Sequence, residues 1–536
     1  VVQGGVPESE QGSSSTQRRG AWLRRGWQAV RDHVFARHDA ATNTWSRGWL
    51  RWPTGAGGVV VTLLLIVKLA VTTWNCAVFD GSSYDEGGLH VPRARDGGIG
   101  TAGRSYNPPL YYMATLPAAT RYAQLDAEKA EKEAAAGGKK KRLTRKQKQK
   151  AEKLQKKRDD YLLGVLRWSN LGYLVIFYVA WIGAILPRLI ADRRRAWLAM
   201  LVLLAIPGYQ KLAAMVHPDN ALSGITALGI AMWLVLRDDT RPVGRRVYLL
   251  AICAGLVALT RPFGVLPCGA LLVACGFLIA RDHKVRSATF VNRMAISALL
   301  TTMLAASWPG YQLATLGRLS EVYEDHYLAP YLPHRPGFDR VGYFLSFHPV
   351  DLLEVPNRNL RELDTVNDKF HNKYGNSFFT LLYSETWGEH WLYFSGKYKT
   401  ENKLWAKRVM LAVALPTIPL LLFAFLRGVA ASVGRIRRWR SEAEPDKALF
   451  LLSFFVLAVA MYLYWHLTDG ITPGKNSSVK FIYNAYIYPI GLALCFLAPL
   501  RKLEDRVWPP YAIVLFAASL PVVFYVPAWL LPKLGL

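Results

Sequence analysis

The sequence predicts an all-α, polytopic membrane fold of about eleven transmembrane helices, and three observations carry that reading. Apolar runs near the ~20 residues needed to cross a hydrocarbon core recur from residue 58 onward. Hydrophobic residues make up 52% of the 536-residue chain and charged residues only 19%. The basic surplus, 66 Lys and Arg against 38 Asp and Glu for a net +28, gathers between the runs. A basic nucleic-acid-binding domain or a disordered tail would carry more charge and fewer aromatic residues, so both are excluded.

Segment 1–57 is polar and Arg-rich, with Arg18, Arg19, Arg24, Arg25, Arg31, Arg37, Arg47 and Arg51. It shows no secretory signal, so the run that follows reads as a retained anchor. Spans are expected at 58–75, 166–187, 197–215, 220–236, 247–262, 264–281, 292–313, 407–427, 448–466, 482–499 and 509–527, making 58–536 one transmembrane domain. Two of them, 247–262 and 264–281, are short and nearly abut at Pro262 and Phe263, as tilted or partly re-entrant helices would. The basic loops at 188–195, 237–246, 281–286, 427–440 and 501–506 all fall on the side of the N-terminal segment, which the positive-inside rule makes cytoplasmic. Loops 76–165, 216–219, the turn near 262, 314–406 and 467–481 then face outward. Cys76, Cys253, Cys268, Cys275 and Cys495 form no CxxC pair, so neither a zinc site nor a disulfide framework is expected.

One segment breaks the charge rule. Residues 129–158 hold 14 Lys and Arg against 3 Glu, a net +11, yet parity puts them outside. Making 107–122 a span would bring them inside but invert the later loops. Residues 107–122 are therefore expected as a helix lying in the interface, started by Pro108 and Pro109. The Lys-rich insert 126–160 then reads as a helical hairpin broken at Gly137 and Gly138, either a solvated insertion or a contact to anionic headgroups.

Polar residues beside a bilayer need a reason. The first outer loop reads FDGSSYDEGGLHVPRARDGGIG and continues into YNPPLYYM. Asp85 and Glu86 are adjacent carboxylates among glycines, about ten residues past the first span. Such a pair suits general-base work on a hydroxyl or metal chelation; the alternative is an ordinary acidic turn. A first span, an acid pair, a Gly-containing stretch and then Asn-Pro-Pro-Leu-Tyr-Tyr, in that order, resemble the first outer loop of the GT-C membrane glycosyltransferases. The pattern is most similar to the protein O-mannosyltransferases of glycosyltransferase family 39 and to the lipid A aminoarabinose transferases. Asp85, Glu86, Pro108, Pro109 and Leu110 carry the resemblance, with Tyr111 and Tyr112 following. It is strongest over 58–125 and extends loosely along the chain; the Lys-rich insert falls outside it, and no β-trefoil insertion is seen.

The resemblance implies a sugar donor linked to polyprenyl or dolichyl phosphate and an acceptor (protein, lipid or glycan) approaching from the extracytoplasmic or lumenal face. The membrane would be a bacterial inner membrane or the endoplasmic reticulum. It implies Asp85 as base, Glu86 as its positioning partner, inversion at the anomeric carbon, and substrate contacts from His90 and Tyr111. The residues identify no cofactor, and metal dependence, with a divalent cation as the candidate, stays open. Cations for the donor phosphate are expected from Arg261 in ALTRPFG, Lys480 in SSVKFIYNAY and, most weakly, Arg104. For Arg261 and Lys480 the competing reading is a side chain snorkelling to the interface. In the turn His217-Pro218-Asp219-Asn220, His217 and Asp219 either touch the sugar or the acid loop, or merely cap the next helix. Glu385, Trp387 and His390 in SETWGEHWLYF combine acids with stacking surfaces that suit carbohydrate; an interfacial Trp belt is the alternative. Their spacing is not that of a metal motif. Asn476-Ser477-Ser478 fits a glycosylation acceptor. Two other functions compete: a transporter or flippase of a lipid-linked or anionic substrate, which should show internal repeats with broken helices, and a scaffold recruiting partners through its basic insert.

Overall fold

The computed structural model describes residues 38–39, 44–45, 48–79, 90–97, 108–135, 144–317, 340–347, 377–388, 401–439, 445–465 and 481–526. These residues are almost wholly helical. A two-residue antiparallel pairing, His38–Asp39 with Thr44–Trp45, is the exception. The helices used below are α1 (Gly55–Val78), α2 (Leu116–Ala135), α3 (Arg145–Leu189), α4 (Arg193–Ala205), α5 (Gly208–Ala214), α6 (Asp219–Asp238), α7 (Val247–Ala258), α8 (Val265–Asp282), α9 (Ala288–Leu316), α10 (Phe378–Trp387), α11 (Glu401–Ala414), α12 (Thr417–Arg437), α13 (Pro445–Trp465), α14 (Tyr488–Leu497) and α15 (Lys502–Val523).

Each of the eleven expected spans has a helical counterpart, but not all cross alike. Among the described residues eight helices are long and apolar enough to cross a membrane, or nine if α4 and α5, bent by 48°, form one span. The two that fall short are α7, with 12 residues, and α14, with 10. At 1.5 Å per residue they reach only about 15–18 Å of a ~30 Å core.

The bend between α4 and α5 is written in the chain. Pro207 cannot donate to the ladder, so α4 ends with its last carbonyls unpaired. Lys68, fully buried on α1, meets them: its ammonium donates to the carbonyls of Leu204 and, at 2.6 Å, Ile206. A cation at a helix C-terminus also matches the helix dipole.

Residues 107–122 do not span. Pro108 caps a 3-10 turn, Pro109–Thr115, which flows into α2. The expected hairpin is the pair α2 and α3, and its second arm is continuous with the second span. Thr144 opens α3 with a capping box to Gln147. The arms are fastened by Arg158 on Asp126 at 2.7 Å and by the Tyr122–Tyr161 edge contact. The arginine loops meet at one end of the bundle: Arg51 on Asp238, Arg194 on Asp505, and Arg427 on Glu504. All five cysteines are unpaired and buried.

Close helix approach in the apolar bundle relies on small residues. A methyl group at Gly428 of α12 would run into the Leu494 carbonyl oxygen of α14. Gly428→Ala is expected to force the two backbones apart and cost about 1–3 kcal/mol, the range for overpacking. Thermal unfolding in detergent checks this; an unchanged melting temperature would show the approach is not tight.

Candidate active site

The residues that gather lie at the end of the bundle opposite the arginine loops. Pro218 rather than Asp219 caps α6, and it makes no side-chain hydrogen bond there. Asp219 is the first helical residue, where the helix dipole favours an acid. Asn220 donates through Nδ2 to the Leu212 carbonyl at 2.7 Å, tying the turn to α5. Of the two readings of this turn, capping therefore does not describe Asp219. Its carboxylate takes the His217 ring at 2.6 Å and the Arg261 guanidinium instead. Its second oxygen, Oδ1, is buried without a hydrogen bond among the described residues.

Arg261 stands between α7 and a 3-10 turn, Pro262–Gly264. A residue before proline is pushed out of the α region, and Arg261 is extended at φ −163°, ψ 156°. That turns its side chain inward. It is 2% exposed, lies over the Phe263 ring at 5.5 Å, and places Nη1 3.2 Å from His217 Nε2. Snorkelling to water does not describe it. Tyr486, from the segment leading into α14, interacts electrostatically with both Asp219 and Arg261.

His90 completes the group. Its ring meets His217 edge-on, with centroids 5.6 Å apart. Its Nδ1 shares a 2.6 Å hydrogen bond with the Tyr112 hydroxyl, which also accepts from Arg93 at 3.4 Å. The ring and the hydroxyl share one proton across this contact, and the hydroxyl keeps a lone pair for Arg93. Nε2 is buried without a partner among the described residues. Burial first, then the like charges of His217, Arg93 and Arg261, hold the His90 pKa well below its ordinary value of 6.5.

That shift has a sign. Between the depressed native value and 6.5 the unfolded chain binds the extra proton, so stability rises with pH there, by up to about 1.4 kcal/mol per unit. Thermal unfolding from pH 8 to 5 should show stability lost below about 6.5, with part of the slope removed in His90→Gln. Identical slopes would contradict the buried neutral ring.

The structure thus brings together His90, His217, Asp219 and Arg261. Tyr111 lies beside them in a packed cluster with Leu162, Leu166, Val216 and Ala221; the hydroxyl bonded to His90 belongs to Tyr112. Glu385 and Trp387 sit on α10 in a neighbouring patch, 6% and 5% exposed. That burial does not fit an interfacial Trp belt. The patch is joined to α5 by Lys211, whose ammonium donates to the Gly388 carbonyl, and to α14 by a Thr386–Tyr488 hydroxyl pair. Asp85, Glu86, Arg104, His390, Asn476 and Lys480 lie outside the described residues. Among the described residues no three His, Cys, Asp or Glu gather as metal ligands.

Sequence reasoning missed Arg93, Tyr112, Lys68 and Lys211. The two lysines were signalled, since a charge inside an apolar run is costly without a task. Tyr112 and Arg93 carried no such signal.

The residues flanking the acid pair are both fastened to the same turn. Phe79, at the end of α1, packs with Ala214, Met215 and Tyr525, and the Arg167 guanidinium donates to its carbonyl at 2.6 Å. His90 packs on His217, two residues beyond Met215. Asn170 of α3 holds that stretch by donating to the Met215 carbonyl at 2.7 Å.

No family model matches the chain, and no curated protein matches it. Among solved structures it is similar to ArnT from Cupriavidus metallidurans bound to undecaprenyl phosphate, at 15% identity over 85% of this chain and 79% of that one. The TM-score of that overlap is 0.35.

Proposed function

We propose that the chain is a membrane glycosyltransferase that moves a sugar from a polyprenyl- or dolichyl-phosphate donor to an acceptor hydroxyl at the end of the bundle holding His90, His217, Asp219 and Arg261. The observation that carries this reading is the anchoring of Phe79 and His90, on either side of Asp85 and Glu86, to the 214–217 turn. Asp85 is five residues before His90 in the chain, a reach of at most about 18 Å. The acid pair is thereby tethered to a buried basic cluster at the edge of an apolar bundle, where a lipid phosphate and a water-borne acceptor can meet.

The chemistry follows from those groups. The Asp85 carboxylate takes the acceptor proton as the hydroxyl oxygen bonds to the anomeric carbon. The bond from that carbon to the phosphate oxygen breaks, and polyprenyl phosphate leaves with the electron pair. A guanidinium at Arg261 stabilises the charge gathering on the leaving phosphate. Glu86 positions the acceptor. Asp219 Oδ1 and His90 Nε2, both without a hydrogen bond among the described residues, are offered to sugar hydroxyls. Lys480, Arg104 and His390 are proposed as further contacts on sequence grounds, with Glu385 and Trp387 as a sugar-facing patch.

The bend at Pro207 is a feature a transporter would share, but a transporter built on repeats should show it in corresponding places. Among the described residues one bent pair occurs. The test is donor-dependent thermal stabilisation of the purified chain with a panel of polyprenyl-phosphate sugars. A donor at a hundred times its Kd should add about 2.7 kcal/mol. If no such lipid raises the melting temperature, the reading fails.

A further inference from the structure

The opposite end of the bundle holds a second polar site that the transfer reaction does not use. A cavity of about 450 Å³ opens there, lined by Arg51 and Pro53 before α1, Pro187 and Arg188 at the end of α3, Arg193 and Trp197 on α4, Arg237 and Asp238 at the end of α6, and Lys447 on α13. Its walls are set by backbone contacts. Pro187, four residues on, has no N–H for the Gly183 carbonyl, which accepts instead from the Arg51 amide at 2.6 Å. Arg188 donates to the Gly48 carbonyl at 2.6 Å, so the 48–53 stretch is pinned against α3.

Among the described residues, cations outnumber carboxylates along the cavity walls. Asp238 lies 3.1 Å from Arg51, 3.4 Å from Arg188 and 3.1 Å from Lys447, so one carboxylate serves three cations. Asp446 takes Arg237 in a two-pronged pair, both contacts at 2.7 Å. Arg193 reaches the carbonyl and hydroxyl oxygens of Thr54. Among the described lining, Arg51, Arg188 and Arg193 alone bring three cations to one carboxylate, Asp238. These are not solvated arms: the side chains of Arg188 and Lys447 are 2% and 7% exposed. The Nε atoms of Arg51 and Arg193 are buried with no hydrogen bond among the described residues. Buried guanidinium groups that share one carboxylate favour the entry of a further counter-charge.

We propose that this cavity binds a phosphate-bearing anion. Several guanidinium forks around one space match the tetrahedral, multiply charged oxygens of a phosphate better than those of a lone carboxylate. α6 carries Asp219 at one end and Asp238 at the other, 19 residues apart or about 28 Å. The site thus stands one bilayer core away from the His217–Arg261 group, at the level of the other leaflet's headgroups. The same chemistry is offered by an anionic lipid headgroup and by a soluble phosphate.

The full chain in detergent, titrated with inorganic pyrophosphate at constant ionic strength, and in nanodiscs of phosphatidylcholine with or without phosphatidylglycerol, tests this by thermal shift. A saturable rise with pyrophosphate alone assigns a soluble phosphate, a rise with phosphatidylglycerol alone or in competition with pyrophosphate assigns a headgroup, and either supports the site. R51Q/K447Q should weaken the response at least ten-fold, while R245Q, at an exposed arginine on a neighbouring loop, should keep it. Should the double variant not fold, R193Q at the partly exposed rim should still weaken binding. No shift with either probe, or a wild-type response in the cavity variants, would overturn the proposal.

Discussion

Asp85→Asn is expected to lower turnover about 10²–10⁴-fold, the range a positioned general base supplies, while leaving donor binding in place. Asparagine keeps the size and polarity of the side chain but cannot take a proton. The acceptor hydroxyl would then have to attack as a neutral alcohol. Donor binding rests on the lipid tail and the phosphate, which Asp85 does not hold, so donor-dependent stabilisation should persist. Glu86→Gln should cost less and should raise the KM for acceptor more than it lowers kcat. The two variants, assayed side by side, assign the base. Equal and full activity in both would remove the first loop from the chemistry.

Arg261→Met should produce the largest loss of stability together with loss of donor response. Removing one partner of a buried ion pair leaves the other charge uncompensated, at a cost of about 3–5 kcal/mol. Here the stranded group is Asp219, 1% exposed, which keeps the His217 ring beside it but no other cation among the contacts described. Adding Asp219→Asn to that variant should recover part of the loss, and a double-mutant cycle measures how much the pair is coupled. Recovered stability should not restore the donor response, because the cation itself is gone. That split separates the structural role from the phosphate role: a double variant that regains donor-dependent stabilisation would show that Arg261 only holds the turn.

Much of the architecture was legible because membrane physics leaves few choices. Twenty apolar residues make a span, and basic loops mark one side, so the run at 220–236 became α6 and the arginine loops do meet at one end. Lengths were less legible. The span expected at 166–187 is the last half of α3, because the helix runs on from Arg145 through a π-helical turn at Trp181–Ile185 to Leu189 and a bilayer boundary is not a helix terminus. The runs at 247–262 and 482–499 gave only the short α7 and α14, since Pro262 and Pro489 break the helical path within them. In the site, His217, Asp219 and Arg261 stood out as polar residues at span ends. Tyr112 did not, because choosing between it and Tyr111 requires the phase of the 3-10 turn that carries both. The basic cavity was hidden for a different reason: its arginines look like ordinary positive-inside residues until their burial and shared carboxylate are seen.

The central claim is transfer from a lipid-phosphate sugar, and the most direct measurement is mass-spectrometric detection of free polyprenyl phosphate after incubating the purified chain with that donor panel and a hydroxyl acceptor. The account predicts release from at least one donor by the wild-type chain, with glycosylated acceptor in equal amount and both products lost in Asp85→Asn and Arg261→Met. A panel left intact by the wild-type chain, or consumed equally by both variants, would contradict it.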